Sequence, residues 1–305
     1  LRLMKRMSLL LAERGLEYRT GERPANTAEC SSGRGKVGDD AQRAEVRGFG
    51  PTMLSAPREV VHVWMAELDG ELGAGLEEAY LRLLDGGERE RRERFRFEKH
   101  RRQYLVSHAL VRETLSRYAS VAPEDWRFTS KEHGRPEVAN PGLSWLRFNL
   151  THTDGLAACA VAQEVDLGVD VEDLGRKGQT LEIAESFFAP SEVEGLRALP
   201  AERQRLRFFE LWTLKEAYIK ARGAGLSLPL RKFAFTLALG APPSIETEPE
   251  LRDEPELWRF ASWRISERHQ GAVAAKLGAS APGPGLEVRR WKVVPLVSAA
   301  EDDRP

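Results

Sequence analysis

Regular patterning of apolar and polar positions begins at "EVVHVWMAEL", Glu59 to Leu68, whose β-branched and aromatic residues predict a first strand. Upstream, from about Thr20 to Pro57, Gly, Ser, Arg, Glu and Pro dominate with neither a helical nor a strand period. Residues 1–57 are therefore expected to form a disordered leader outside the fold, with a short helix over Leu3 to Arg14 as the alternative. After the first strand, "LEEAYLRLLDGGERERRERFRFEKHRRQYLVSHALVRETLSRYAS" places Leu105, Ala109, Leu110 and Leu115 on one side of an amphipathic helix. "SWLRFNLTHTDGLAACAVA" then predicts strand, polar turn and strand, and "LGVDVEDL" a further strand. Helices are expected over "TLEIAESFF", "SEVEGLRAL" and "FFELWTLKEAYIKARGAGL", and closing runs over "KFAFTLAL", "WRFASWRI" and "GAVAAKL". The turn-rich "GAPPSIETEPELRDEPE" is expected to be a loop. Helices and short strands fall in both halves of the chain without strict alternation, so the fold class is α+β.

Composition narrows this picture. With 305 residues and 41% apolar content the chain can build a sizeable core. Its 46 basic and 47 acidic residues nearly cancel, so no whole-molecule field draws it to nucleic acid or to an anionic membrane. Two cysteines, Cys30 in the leader and Cys159 in "LAACAVA", make a disulfide framework a poor reading and a reducing cytoplasm the default location. No stretch approaches the roughly 20 apolar residues of a spanning helix, so a soluble protein is expected.

Charge then matters locally. Asp170 and Glu172 are two apart on a predicted strand, which projects both carboxylates from one face while Val169 and Val171 take the other. Adjacent acids repel unless a cation or proton joins them, and hard oxygen ligands at this spacing suit magnesium. A solvated acidic face on an edge strand reads the same way. Glu216 and Lys220 share a helix face with Trp212 one turn earlier, either as a surface ion pair or as part of a ligand site followed by the glycines of "GAGL". His152, flanked by Thr151 and Thr153, offers phosphate donors or caps a turn. "ERERRERFRF" is either an anion-binding helix start or a solvated basic stretch, and Arg135 sits in the turn "GRP".

Taken together and in order, "GRP", "FNLTHT", "GVDVED" and "WTLKEAYIKARGAGL" resemble the 4′-phosphopantetheinyl transferases, over roughly residues 60–240. The resemblance is to the larger, two-halved type that activates carrier proteins of nonribosomal peptide, polyketide and fatty-acid synthesis. It implies two similar α+β halves related by pseudo-twofold symmetry, residues 58–164 and 165–297, with coenzyme A in the cleft between them and a tail over 298–305. It further implies that Asp170, Glu172 and Glu216 hold magnesium on the coenzyme A diphosphate, that Lys220 touches that diphosphate, and that Lys215 supports it. Thr151 and His152 would bind coenzyme A phosphates, Arg135 would stand near the adenosine end, and Arg89 and Arg92 would read the 3′-phosphate, with Arg102 a further candidate. The implied reaction transfers phosphopantetheine to a serine of an apo acyl or peptidyl carrier protein, releasing 3′,5′-adenosine diphosphate, with Glu216 as candidate base. The implied enzyme is a monomer with no nucleic-acid or membrane partner.

Two motifs depart from the family pattern: arginine stands at 135 where lysine is common, and threonine at 151 and 153 where serine is common. Both keep the donor chemistry, arginine binding as a planar fork rather than a point charge. Two other classes remain open, a magnesium-dependent phosphohydrolase and a non-catalytic coenzyme A or RNA-binding module. Against RNA stand the sparse aromatics among the arginines and the near-zero net charge.

Overall fold

The structure, a computed structural model, describes residues 54, 59–130, 135–223, 225, 228–278, 281 and 283–302. The expected leader over 1–57 lies outside these residues except for Leu54, which packs against the first core and donates its N–H to Arg117 O at 2.8 Å. Among the described residues no helix is long and apolar enough to cross a membrane.

The fold is α+β. Its first part runs β1 (Val60–Glu67), α1 (Ala74–Leu83), α2 (Gly86–Glu93), α3 (Glu98–Ser116), a 3-10 turn, the hairpin β2 (Phe128–Ser130) and β3 (Pro136–Val138), then β4 (Leu146–Thr153) and β5 (Leu156–Gln163). The same order follows: β6 (Asp166–Asp173), α4 (Thr180–Phe187), α5 (Pro190–Ala198), α6 (Ala201–Arg222), a 3-10 turn, the hairpin β7 (Phe233–Thr236) and β8 (Ser244–Thr247), then β9 (Trp258–Arg264) and β10 (His269–Lys276). In each part the first strand pairs antiparallel with the last, and the last with the one before it. The chain ends its described course with β11 (Glu287–Val294) and β12 (Ser298–Glu301).

Two larger sheets result, ordered β12-β11-β1-β5-β4 and β6-β10-β9. Because strand side chains alternate, each central strand serves two apolar clusters. Val61, Val63 and Met65 of β1 share one layer with Leu167, Val169 and Val171 of β6. On the other face of the first sheet, Trp64 and Cys159 pack with Leu105, Ala109, Leu110 and Leu115 of α3. On the other face of the second, Ala272 and Ala274 pack with Leu214, Ala217 and Tyr218 of α6. The two sheets meet along β4 and β6, where Asn149 Oδ1 accepts from Val169 N at 2.9 Å and Thr153 Oγ1 from Asp173 N at 3.2 Å.

Three details differ from the sequence expectation. The long basic stretch divides into three helices, because Asp85 caps α2 by accepting from Glu88 N at 2.8 Å and an extended Phe97 caps α3. The expected loop over "GAPPSIETEPELRDEPE" contains β8, whose Ile245 is buried; four residues are too few to display a strand period. The expected second half and tail do not end where the sheets do: β11 runs parallel to β1 and β12 pairs with β11, so both belong to the first sheet. A parallel partner supplied by a distant segment leaves no local signal.

α6 starts after Pro200 and ends at Gly223, which adopts φ 64° and donates its N–H to Lys220 O. It approaches β6 unusually closely at Gly168, where an added Cβ would sit 2.0 Å from Ala217 O and 2.6 Å from Ala221 N. Both are backbone atoms, so the helix itself would have to move. Gly168→Ala is expected to cost about 1–3 kcal/mol, as overpacked cores do, and to lower activity by lifting α6 off β6. Denaturant melts and initial rates on the same preparation check this.

Candidate active site

The face of β6 opposite the apolar layer carries Gly168, Asp170 and Glu172, and it is turned to α6. Both carboxylates are fully buried, so the interior must compensate their charge. Lys220 Nζ lies 2.7 Å from Asp170 Oδ1 and also donates to Thr151 Oγ1 and Val169 O, each at 3.0 Å. The Thr151 hydroxyl donates in turn to Asp170 Oδ1 at 3.2 Å. Trp212 Nε1 donates to Glu172 Oε1 at 2.9 Å, and Arg176 stands 3.7 Å from Glu172 Oε2.

Residues four apart on a helix lie on one face. Trp212 touches Glu172 and Lys220 touches Asp170, so Glu216, midway between them and 4% exposed, lies over the same stretch of β6. Thr151 and His152 arrive from β4, the buried Thr151 against Asp170 and the partly exposed His152 beside the turn into β5. The structure thus gathers Asp170, Glu172, Glu216, Lys220 and Thr151 where the two sheets meet, while His152, next to Thr151 on β4, leaves that strand from its other face.

Among the described residues, no three His, Cys, Asp or Glu side chains are already gathered as a metal cage. The donor chemistry nevertheless fits magnesium, which is commonly held by one or two carboxylates together with waters and substrate phosphate oxygens rather than by an all-protein cage. Asp170, Glu172 and Glu216 supply hard oxygens in a setting whose burial already calls for cations.

The predicted basic residues separate. Lys215, expected to support the diphosphate, points the other way. One residue from Glu216 is about 100° around the helix, and Lys215 Nζ is buried 2.7 Å from Glu192 Oε2, donating to Leu230 O and Phe233 O. Burial pushes its pKa down to about 8 against the pull of Glu192. Arg92, expected at a 3′-phosphate, is buried among Glu77, Glu93 and Glu98 at 2.7, 2.6 and 3.7 Å. Its charge is thus already matched by these carboxylates. Arg89 is exposed with Nε on Leu81 O at 3.1 Å. Arg102 is half-buried, and among the described residues its Nε has no hydrogen-bond partner. Arg135, immediately before β3, donates to Ala221 O at 3.0 Å and to Lys220 O at 3.4 Å, satisfying carbonyls at the C-terminal end of α6.

Sequence reasoning left three contributors without a role. Trp212 orients Glu172, Asn149 joins β4 to β6, and Gly168 sets the approach of α6. A glycine and an asparagine inside strands were the available signals.

The site has an echo in the first part of the fold. Trp64 pairs with Cys159, the fourth residue of β5, as Asp170 pairs with Ala272, the fourth of β10; Ala66 likewise corresponds to Glu172. Arg112 and Glu113 on α3 and Arg117 at its C-cap repeat the spacing of Lys215, Glu216 and Lys220 on α6. Arg112 contacts Glu88 at 2.7 Å as Lys215 contacts Glu192, and both glutamates also accept a backbone N–H at the start of their own helices. Arg117 pairs with Glu113 and stands 4.6 Å over the Trp64 ring.

Comparison with known proteins gives two consecutive family matches. Residues 77–164 match the family described as 4′-phosphopantetheinyl transferase, N-terminal, and residues 166–275 match the 4′-phosphopantetheinyl transferase superfamily. The chain is 34% identical over 200 residues to the 4′-phosphopantetheinyl transferase HetI of Nostoc sp., covering 65% of this chain and 83% of HetI. It is 33% identical over 208 residues to the 4′-phosphopantetheinyl transferase Sfp of Bacillus subtilis, covering 68% of this chain and 89% of Sfp. Among solved structures, Thermotoga maritima holo-[acyl-carrier-protein] synthase aligns with a TM-score of 0.30 at 20% identity, over 41% of this chain and 64% of that one.

Proposed function

The chain belongs to the 4′-phosphopantetheinyl transferase superfamily, and we propose that it transfers the 4′-phosphopantetheine arm of coenzyme A to a serine of an apo acyl or peptidyl carrier protein. The observation that carries this reading is the α6 stripe of Trp212, Glu216 and Lys220 laid over the buried Asp170 and Glu172.

The serine Oγ attacks the β-phosphorus of coenzyme A, the bond from that phosphorus to the bridging oxygen breaks, and 3′,5′-adenosine diphosphate leaves. Glu216 takes the serine proton. Asp170, Glu172 and Glu216 would hold magnesium, which supplies charge neutralisation at the diphosphate when bound. Lys220, already beside Asp170 and Thr151, offsets charge developing on the leaving oxygen. Thr151 and His152 donate to phosphate oxygens. Arg135, anchored on the end of α6, serves the adenosine side, and Arg102 with Arg89 serves the 3′-phosphate.

The repeated element order, the matched registers and the two Glu–cation contacts support two halves related by a pseudo-twofold, with coenzyme A between them. In the first half Trp64 and Ala66 stand where the second has Asp170 and Glu172, leaving one complete site in a single chain. Glu113→Gln, at the counterpart of Glu216, is accordingly expected to leave the transfer rate within about twofold and stability little changed, because burial holds the Glu113 pKa above its ordinary value despite the contact with Arg117. Parallel rate and melting measurements check it.

The test of function is a mass spectrum of an apo carrier incubated with the protein, coenzyme A and magnesium, with a chelator-treated control. A carrier heavier by one phosphopantetheine group, only with magnesium, is the expected result. Coenzyme A consumed without any carrier would make the protein a phosphohydrolase, and binding without turnover would make it a binding module.

A further inference from the structure

The turn between β4 and β5, Asp154 and Gly155, begins two residues after His152 and is held from several sides by groups that the mechanism above does not use. Arg268, on the β9–β10 hairpin, contacts Asp154 of that turn at 3.3 Å, Asp69 beyond β1 at 3.0 Å, and Asp173, one residue past Glu172, through Nη2 at 3.1 Å and Nε at 3.2 Å. Three carboxylates from three segments therefore converge on one guanidinium. Neighbouring contacts reinforce the same turn: Lys99 Nζ lies 2.6 Å from Asp154 Oδ1, Gln103 donates to Thr153 O at 3.2 Å, and His269 Nε2 to Asp154 O at 2.8 Å. Gly155 completes it with φ 82°, and a Cβ there would meet Asp69 Oδ2 at 2.8 Å and Arg268 Nη1 at 2.9 Å.

Resting on the transferase reading, we propose that Arg268 is a positioning residue for coenzyme A: it fixes the His152 turn of one half to the end of the Glu172 strand of the other. Its own charge is outnumbered by the carboxylates it touches, so it is not itself a phosphate ligand. Its planar fork can engage Asp69 and Asp173 through different nitrogens while reaching Asp154, which a lysine point charge cannot reproduce. A His152 side chain displaced by even about an ångström loses much of its contribution to ligand orientation.

Steady-state kinetics of carrier modification with Arg268→Ala, Arg268→Lys, His152→Ala and the His152→Ala/Arg268→Ala pair test this. Arg268→Ala is expected to raise the KM for coenzyme A roughly tenfold, the lower end of what supporting partners of a site contribute, with kcat changed much less. Arg268→Lys should recover only part of that loss. In the His152→Ala background the second substitution should add little, because Arg268 acts through the turn. An unchanged KM in Arg268→Ala or Arg268→Lys, whatever the melting temperature does, overturns the proposal, as does an equal KM increase with and without His152. Should Arg268→Ala not fold, the lysine variant carries the same comparison in both backgrounds. A parent protein that modifies no carrier would instead remove the functional reading itself.

Discussion

Glu216→Gln is expected to slow single-turnover transfer to an apo carrier by about a hundredfold or more, the scale associated with lost acid–base or electrostatic groups. The reason lies in what surrounds the side chain. Glu216 is 4% exposed on the stripe between Trp212, which holds Glu172, and Lys220, which holds Asp170. Glutamine keeps the shape but can neither take the serine proton nor bring a charge to the proposed magnesium site. Folding should be untouched or slightly improved, because one of three neighbouring buried carboxylates has been neutralised. Asp170→Asn should act alike and raise the magnesium concentration needed for half-maximal rate. A magnesium titration with a melting curve for each variant measures both effects, and near-parental transfer by Glu216→Gln would show that the base and metal assignments are wrong.

One residue earlier the expectation reverses. Lys215→Ala should cost about 3–5 kcal/mol, the usual penalty for removing one member of a buried ion pair, because Glu192 stays behind in the core with its partner gone. Burial already raises the Glu192 pKa even with Lys215 present, and losing the ammonium raises it further. The sign follows: a carboxyl whose folded pKa exceeds its unfolded value destabilises the fold above that folded pKa and ceases to do so once the pH falls below the unfolded one. The stability gap between parent and variant should therefore narrow as the pH drops toward the ordinary carboxylate range. Pairing Lys215→Met with Glu192→Met should restore much of the stability. Transfer per folded molecule should stay close to parental, since Lys215 faces Leu230 and Phe233 rather than β6. Chemical denaturation across pH, with rates normalised to folded protein, checks the set; a stable but inactive Lys215→Ala would return this lysine to the site.

Much of the fold was legible because local patterns carried it. The β-branched run at Val60–Glu67, the D-x-E alternation at 170 and 172, and the 212, 216, 220 stripe each follow from strand or helix periodicity alone. Those periods fix which side chains share a face, and so they placed two carboxylates on one strand face and a glutamate and a lysine on one helix face. The order of the motifs then pointed to the family.

Only the tertiary structure decided which charged groups are paired inside the fold. Arg92 and Lys215 look like their basic neighbours in sequence, yet the first is neutralised by Glu77, Glu93 and Glu98 and the second by Glu192, up to 23 residues away along the chain. A charge's availability depends on what it meets across the fold, and periodicity does not contain that information. The same holds for β11, whose pairing with β1 joins segments more than two hundred residues apart, and for Gly168, whose necessity appears only once α6 lies against it. The sequence by itself determined which residues each element presents on a common face, because that is set by backbone geometry. Which faces meet, and which charges are paired within the fold, was decided by packing between elements, because a charge taken out of water is costly unless it finds a partner.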